Sequence, residues 1–219
     1  MQSYKMETTI SKISDGVVII RNMLKMDDQQ RLVKIVSDHG NLFKPDGKPN
    51  FSNSRGRNYS NLDVYGEIDK QYMKTICDEV MKIVNSVDIS IPKADVTHLL
   101  TIYYVKKDGM GWHADDGDND GDTDAPVISF TLGNSCIFEY KINHIVHSSQ
   151  LNSGDVIVFG GPQRFMYHRV KKCLKGTAPL ELKMDDARIN LTFRQATSVI
   201  GNEEKFSTAN YLSRLKEKY

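Results

Sequence analysis

The sequence predicts an α+β protein that is mainly β: a sandwich or barrel of short strands, with helices packed against it from the N-terminal half. Two observations lead to this prediction. The second half of the chain contains five short runs rich in β-branched and aromatic residues and separated by turn residues, namely HLLTIYYV, VISFTLG, CIFEYK, DVIVFGG and RINLTFRQ. The first half instead contains two segments in which apolar residues recur at helical spacing. Short strands at regular intervals are typical of sandwiches and barrels.

The two helical segments differ in how they begin and end. The first predicted helix covers residues 27–40; it begins with two aspartates, which suit the positive end of a helix dipole, and it ends at Gly40. Residues 43–61 then follow, rich in Pro, Gly, Ser and Asn with basic residues interspersed, and are predicted to form a long loop. The second predicted helix covers residues 66–86, and its apolar face is expected to comprise Ile68, Tyr72, Ile76, Val80 and Ile83.

Composition limits the class of protein. The chain has 219 residues and a formal net charge of +1, so it is expected to form one domain and is not polybasic as a whole. No segment resembles a signal peptide or reaches the length of a membrane span. The three cysteines are far apart and in no C-x-x-C pair, which indicates free thiols in a reducing compartment. We expect a monomer in the cytoplasm or the nucleus, neither secreted nor bound to a membrane.

Residues 111–126, GWHADDGDNDGDTDAP, place one imidazole directly before a run of aspartates. Such a run repels itself and belongs in a solvated loop. One interpretation is calcium binding, because Asp116, Asp118, Asp120 and Gly121 match the first half of an EF-hand loop. However, Val127 stands where the closing bidentate Glu is required, and strands instead of helices are predicted on both sides. The calcium interpretation is therefore disfavoured.

A transition-metal site is the second interpretation of this segment. His113 and Asp115 are two residues apart at a strand edge, so their side chains share a face. His168 follows a later strand and a Gly-Gly turn. Two imidazoles and one carboxylate form the facial triad of non-haem Fe(II) oxygenases, which leaves open positions for a bidentate 2-oxo acid and dioxygen. An inward arginine would then clamp the far carboxylate of 2-oxoglutarate. The last predicted strand places four polar side chains on one face: Arg188, Asn190, Thr192 and Arg194.

Over residues 99–196, about half of the chain, the sequence resembles the AlkB family of Fe(II)- and 2-oxoglutarate-dependent dioxygenases. The segments that resemble the family are WHADD, APVISFTLG, GDVIVFGGPQRFMYH and RINLTFRQA. The last segment is the most specific, because generic 2-oxoglutarate oxygenases share the two histidines and the aspartate but usually lack this spacing of Arg188, Asn190 and Arg194. The resemblance implies a double-stranded β-helix (jelly-roll) core with flanking N-terminal helices.

The resemblance also implies roles for individual residues. Fe(II), 2-oxoglutarate and O2 are the implied cofactors, and the implied iron ligands and catalytic residues are His113, Asp115 and His168. Arg188 is expected to pair with the distal carboxylate of 2-oxoglutarate, Asn190 to support that pairing, and Arg194 to lie near the other end. The Asn-x-Tyr that the family usually has before its first iron ligand is replaced here by LLTIYYV. Tyr104 is therefore the preferred cosubstrate contact, and Tyr103 is the alternative.

Substrate contacts are also carried over from the family, whose N-terminal segments form a lid over the substrate. The arginines of the segment RGRNY can bind phosphates and its tyrosine can stack on a flipped base, although a solvated loop is the alternative. The family often has an acid four residues after the first iron ligand; here that position is Gly117, so Asp116 or Asp118 is expected to substitute. Trp112 is expected at the rim of the pocket. The expected substrate contacts are thus Arg55, Arg57, Tyr59, Trp112 and Asp116.

These expectations together define an organisation and a reaction. Residues 1–95 are expected to form the helices and the nucleotide-recognition lid, residues 96–198 the catalytic core, and residues 199–219 a tail, within one structural domain. The implied reaction is oxidative demethylation of N-alkylated bases in methylated DNA or RNA, which converts 2-oxoglutarate and O2 to succinate and CO2 and releases formaldehyde. One alternative is a protein or small-molecule hydroxylase with the same iron chemistry. The other is a non-catalytic nucleic-acid-binding module on an oxygenase scaffold.

Overall fold

The computed structural model describes residues 7–39, 55–105, 109–116, 124–184 and 186–196. Within these ranges the chain forms two α-helices, α1 (Met26–His39) and α2 (Glu67–Val87). The strands in the same ranges are β1 (Thr9–Ser14), β2 (Val17–Arg21), β3 (Arg55–Asn61), β4 (His98–Val105), β5 (Met110–His113), β6 (Val127–Gly133), β7 (Cys136–Ile142), β8 (Ile145–Leu151), β9 (Val156–Phe159), β10 (His168–Cys173) and β11 (Ala187–Arg194).

The strands form two antiparallel sheets that face each other. The larger sheet has the order β1-β2-β9-β6-β11-β4-β3, and the smaller sheet has the order β5-β10-β7-β8. Residues of the larger sheet alternate between two cores: in β4, Tyr103 packs towards the helices, whereas Ile102 and Tyr104 pack between the sheets. Because both faces of this sheet are covered, its central strands are nearly continuous apolar runs. The architecture is the double-stranded β-helix, or jelly roll, that the resemblance to the AlkB family implies.

Both predicted helices form, and both pack on the face of the larger sheet that points away from the smaller sheet. The apolar face predicted for α2 is wrong at its N-terminal end, because Ile68 is 80% exposed. Tyr72 lies at the edge of the buried face, where its hydroxyl donates to Asp28 of α1 at 2.7 Å. The buried face of α2 comprises Met73, Ile76, Cys77, Val80, Met81 and Val84. Packing against the sheet has therefore selected a stripe about one residue away from the predicted one.

The N-terminal region contributes strands to the larger sheet as well as helices. β2 pairs with β9 in the interior of that sheet, and its residues 17–20 are fully buried. Residues 55–61, predicted to be part of a loop, form the edge strand β3, whose backbone pairs with β4 from Arg55 opposite Tyr104 to Asn61 opposite His98. The loop prediction fails here because backbone pairing stabilises this strand and an exposed sheet edge tolerates polar residues. The division drawn at residue 95 thus passes through one continuous sheet.

Several further expectations can be compared with the described residues. The three cysteines, Cys77, Cys136 and Cys173, are buried and free, as predicted. In the part of the chain that the structure describes, no helix combines the length and the apolar character needed to cross a membrane. Gly117, most of the aspartate run after it and the tail at 199–219 lie outside the described residues.

Candidate metal centre and cosubstrate pocket

The three predicted iron ligands meet between the two sheets. His113 ends β5 and His168 begins β10, and the pairing of these strands places the two residues directly opposite each other. Asp115 lies two residues after His113, and its Oδ1 is 3.8 Å from Nε2 of each histidine. The possible ligand atoms of the three residues all lie within 4.8 Å of one another. Two imidazole nitrogens and one carboxylate oxygen that face a common space are a donor set that fits Fe(II).

Backbone carbonyls fix which nitrogen of each histidine is available to a metal. Nδ1 of His113 lies 2.9 Å from the carbonyl oxygen of Gly111, and Nδ1 of His168 lies 3.0 Å from that of Met166. A carbonyl oxygen only accepts, so both Nδ1 atoms donate and Nε2 is the nitrogen of each ring that is left for a metal. Hydrogen bonds of this kind orient metal-binding histidines in proteins.

The electrostatics of the centre favour the protonation states that a metal requires. Burial lowers the pKa of His168, so this imidazole is neutral at neutral pH. Burial alone would raise the pKa of Asp115, but nearby positive charge, chiefly that of Arg194, holds it below its usual range. Nη2 of Arg194 lies 2.8 Å from Oδ1 of Asp115. The carboxylate is therefore ionised and held towards the two imidazoles.

Arg164 stabilises the main chain on both sides of the aspartate run. This side chain is 3% exposed. Its Nη1 donates to the carbonyl oxygen of Asp115 at 2.9 Å, and its Nε donates to that of Ala125 at 2.6 Å. One guanidinium thus fixes the backbone of a candidate iron ligand and the backbone just before β6. No pattern in the sequence predicts this role for Arg164.

The polar row of β11 lies where the sequence predicts it and forms one hydrogen-bonded chain. Nη2 of Arg188 donates to Thr131 at 3.0 Å and to Oδ1 of Asn190 at 2.9 Å. Asn190 in turn donates to Ser129 at 3.0 Å and to Thr192 at 2.8 Å. Nε and Nη1 of Arg188 are buried and have no hydrogen-bond partner among the described residues. A buried guanidinium with open N–H groups on two of its nitrogens fits the carboxylate of a bound dicarboxylic acid.

The structure places Tyr104, and not Tyr103, beside this arginine. Tyr104 lies directly opposite Arg188 in the pairing of β4 with β11, and Cζ of Arg188 is 5.0 Å from the centre of its ring. Tyr103 packs in the core on the helix side of the sheet. Of the two tyrosines that the sequence leaves open, Tyr104 is therefore the one on the cosubstrate side.

A narrow cleft joins the metal centre to the polar row of β11. Its lining combines the candidate ligands with Asn190, Thr192, Arg194 and Tyr104. Arg188 itself does not line the cleft, but it contacts two residues that do, Tyr104 and Asn190. The remaining wall is mostly apolar and includes Leu100, Ile102, Phe138, Phe159 and Val170.

The expected substrate contacts are placed unequally. Arg57 and Tyr59 lie opposite Ile102 and Leu100, two cleft residues of β4, and therefore share their face of the sheet. Tyr59 is half-buried and stacks on His98 with a centroid distance of 5.4 Å. Arg57 is exposed. For Arg55 the structure describes the backbone, in β3, and not the side chain.

Trp112 was expected at the rim of the cleft, but it lies on the opposite face of β5. Side chains alternate along a strand, so Trp112 points away from the cleft that the next residue, His113, faces. Two cations instead lie over its ring: Nζ of Lys141 is 4.9 Å and Cζ of Arg169 is 4.7 Å from the ring centre. Asp116 is half-buried directly after the ligand Asp115 and is not part of the cleft wall. Among the expected substrate contacts whose side chains the structure describes, only Arg57 and Tyr59 of β3 lie on the cleft side.

Comparison with known proteins assigns the fold and the site to a family. Residues 16–194 match the model of the 2OG-Fe(II) oxygenase superfamily. The chain belongs to this superfamily. Membership confirms the predicted cofactors, Fe(II), 2-oxoglutarate and O2, for which the His113, Asp115 and His168 group supplies the metal-binding side chains.

Curated relatives confirm the resemblance to AlkB. The DNA N(6)-methyladenine demethylase ALKBH1D of Arabidopsis thaliana is 35% identical over 101 residues, which are 42% of this chain and 23% of that protein. The alpha-ketoglutarate-dependent dioxygenase AlkB of Escherichia coli K12 is 41% identical over 78 residues, which are 34% of this chain and 35% of that protein. The matches therefore span no more than about a third of the length of these two relatives.

Solved structures extend the similarity over most of the chain. The structure of OsALKBH1 is 25% identical in sequence and superposes with a TM-score of 0.70, covering 84% of this chain and 100% of that one. A prolyl-4-hydroxylase of Pseudomonas putida superposes with a TM-score of 0.53 at 16% identity, covering 84% of this chain and 95% of that one, which shows the common fold alone.

Proposed function

We propose that the protein is an Fe(II)- and 2-oxoglutarate-dependent dioxygenase that oxidatively demethylates N-alkylated bases in DNA or RNA. The observation that most directly supports the chemistry is the meeting of His113, Asp115 and His168 beside the polar row of β11. The substrate class is supported by the similarity to AlkB and to a DNA N(6)-methyladenine demethylase.

The polar row of β11 and Tyr104 hold 2-oxoglutarate in this proposal. Arg188 pairs with the distal carboxylate through a guanidinium nitrogen that has no acceptor among the described residues, either Nη1 or Nε. Asn190 accepts from Nη2 and thereby sets the orientation of the guanidinium. Arg194 lies at the metal end of the row, where its ion pair keeps Asp115 ionised and in place.

Held by His113, Asp115 and His168, Fe(II) would activate O2, the oxidant: 2-oxoglutarate would become succinate and CO2 with one oxygen atom, and the other oxygen atom would be inserted into a C–H bond of the N-methyl group. The N-hydroxymethyl product then releases formaldehyde and leaves the unmodified base. The chain itself positions the reactants and limits access of water. Leu100, Phe138 and Phe159 line the cleft and provide its dry wall.

The edge strand β3 provides the contacts to the nucleic acid in this proposal. Arg57 is exposed on the cleft side of the sheet and binds a backbone phosphate. Tyr59, supported from below by the stacked ring of His98, stacks on the target base. Asp116, which follows the ligand Asp115, contacts the hydrogen-bonding edge of the base.

The test is turnover of methylated oligonucleotides by the protein reconstituted with Fe(II), ascorbate and 2-oxoglutarate. A panel that carries different N-methylated bases in DNA and RNA is incubated and read by mass spectrometry, with formaldehyde and succinate measured in parallel. We expect both products in equal amounts. His113→Ala is expected to abolish both while leaving the melting temperature close to that of the wild type, and His144→Ala, an exposed histidine in the β7–β8 turn, is the matched control.

Two outcomes would contradict the proposal, and each identifies one of the alternatives. Succinate formation that peptides or small molecules stimulate and methylated oligonucleotides do not would identify a hydroxylase of another substrate class. Absence of succinate with every substrate, together with oligonucleotide binding, would identify a non-catalytic module on the oxygenase scaffold.

A further inference from the structure

The outer face of the smaller sheet displays a group of charged and aromatic side chains that the proposed reaction does not use. We call Trp112, Glu139, Lys141, Arg169 and Lys171 the outer-face cluster. They come from the three adjacent strands β5, β7 and β10. Trp112 directly precedes the ligand His113, and Arg169 directly follows the ligand His168. Because side chains alternate along strands, the cluster lies on the back of the two strands that hold the metal centre.

The contacts within the cluster hold its cations in place. Nζ of Lys141 lies 4.9 Å and Cζ of Arg169 lies 4.7 Å from the centre of the Trp112 ring, both within cation–π range. Glu139 accepts from Nε of Arg169 at 2.7 Å and from Nζ of Lys171 at 2.8 Å. Its side chain is 6% exposed, whereas those of Arg169 and Lys171 are 32% and 52% exposed. The carboxylate is thus covered, and the surface that solvent meets is cationic.

The charge of this face is strongly one-sided. The four strands of the smaller sheet contain four cationic residues, Lys141, Arg169, Lys171 and Lys172, and a single acidic residue, Glu139. Within the described part of the chain, Lys141 has no carboxylate partner, and its contacts through Nζ are with the rings of Trp112 and Tyr167. An anionic ligand can therefore engage Lys141 without breaking an ion pair.

We propose that the outer-face cluster binds phosphates of the nucleic-acid strand next to the nucleotide whose base enters the cleft. This inference rests on the proposed function and extends the contact beyond β3. β5 is the edge strand of its sheet, so a nucleic-acid strand that passes around this edge moves directly from the cleft side, at His113, to the outer face, at Trp112. A chain that leaves the cleft past His113, whose side chain is 33% exposed, crosses this edge and reaches Lys141 and Arg169. Cations next to exposed aromatic rings are the combination by which proteins follow single strands without reading their sequence.

The sequence supplies its own reporter for this surface, because Trp112 is the only tryptophan of the chain. A short single-stranded DNA without any methylated base is titrated into the protein while the emission of Trp112 is recorded at several salt concentrations. We expect a saturable change in emission whose midpoint moves to higher DNA concentration as salt increases. For Lys141→Gln we expect roughly threefold weaker binding and a salt dependence that is shallower by about 0.7 in the slope of log K against log salt, the value for one phosphate contact in a single strand.

Turnover of two substrates separates this surface from the cleft. With a methylated oligonucleotide, Lys141→Gln is expected to raise KM about threefold and to leave kcat unchanged, because the contact stabilises the ground state and the transition state equally. With a methylated mononucleoside, which has no flanking phosphates, the same variant is expected to match the wild type. Lys82→Gln, an exposed lysine of α2, is the matched control and is expected to behave as the wild type with both substrates.

The possible outcomes distinguish failure of this inference from failure of the proposed function. An oligonucleotide that is demethylated without any change in Trp112 emission, or whose KM is insensitive to Lys141→Gln, overturns the inference and leaves the demethylase in place. An oligonucleotide that changes the emission in a salt-dependent way but is not demethylated supports the binding surface and counts against the proposed function. Equal binding of polyglutamate and DNA overturns the inference in favour of an acidic protein partner.

Discussion

Replacement of Arg188 by methionine is expected to abolish tight binding of 2-oxoglutarate without lowering the stability of the fold. The guanidinium is 1% exposed, and within the described residues it forms no ion pair with a carboxylate. Nη2 donates to Thr131 and Asn190, whereas Nε and Nη1 have no acceptor there. Methionine is similar in length and uncharged, so the substitution removes a buried cation whose desolvation opposes folding. The melting temperature of Arg188→Met is therefore expected to equal or exceed that of the wild type.

The loss in binding follows from the buried ion pair that the proposal assigns to Arg188 and the cosubstrate. Removal of one partner of a buried ion pair costs about 3–5 kcal/mol, because the other charge is left without compensation. The cost of at least about 3 kcal/mol corresponds to roughly a 100-fold increase in Kd. Arg188→Lys retains the charge but not the planar guanidinium, so its Kd is expected to lie between those of the wild type and Arg188→Met.

Isothermal titration with N-oxalylglycine in the presence of Mn²⁺ measures this binding without turnover, and thermal unfolding measures the stability of the same samples. Ligand is expected to raise the melting temperature of the wild type and to leave that of Arg188→Met unchanged, because stabilisation by a ligand requires binding. An unchanged Kd for Arg188→Met, combined with a large fall in its melting temperature, would refute the reasoning and show that Arg188 only supports the fold.

Three further predictions concern residues outside the ligand set. Asp88→Asn is expected to lower the free energy of unfolding by about 1–3 kcal/mol near neutral pH, because the carboxylate accepts from the backbone of Gly16 and Ser90 and from the Ser90 hydroxyl. Burial would raise the pKa of Asp88, but these hydrogen bonds hold it below its usual range, so the contribution is complete above the unfolded pKa and is lost as pH falls through the folded one; urea midpoints that stay equally far apart from neutral pH down to about pH 3 would contradict this. Arg164→Met is expected to weaken Mn²⁺ binding roughly tenfold in a titration followed by electron paramagnetic resonance, since the carbonyl of Asp115 loses its donor; an affinity equal to that of the wild type would show that Asp115 is held without Arg164. Arg57→Ala is expected to weaken oligonucleotide binding mainly at low salt. If the variant and the wild type bind with the same affinity at both low and high salt, Arg57 makes no phosphate contact from β3.

The sandwich or barrel of short strands and the shared face of His113 and Asp115 could be predicted from strong local patterns, whereas the jelly-roll topology and the role of His168 were implied by the resemblance to the AlkB family. β11 is a short apolar run whose alternate positions are polar, and burial of all eight residues shows why both halves of that pattern are needed: apolar residues face the helices and polar residues face the cleft. His113 and Asp115 are likewise two residues apart, a spacing that strand geometry converts into a shared face. In both cases the information lies within fewer than about ten residues of chain, the length of a typical strand.

The features that the sequence did not predict depend on partners far along the chain. β3 has few apolar residues, so nothing in its own composition distinguishes it from a loop; the backbone of β4 makes it a strand. Arg164 donates to main-chain carbonyls, which every residue has, and so leaves no pattern to find. Trp112 is different, because its orientation follows from the sequence. Side chains alternate along a strand, so the alternation that places His113 in the cleft also turns Trp112 outwards.

Because of the position of Arg164, the placement of the Asp115 carboxylate does not depend on the sequence of the acidic segment that follows it. By holding the carbonyls of Asp115 and Ala125, it fixes the described backbone on either side of the acidic segment. Insertions, deletions or changes of charge between those points therefore need not displace the iron-binding carboxylate. The geometry of the candidate metal centre is thus insulated from sequence changes in the neighbouring acidic segment.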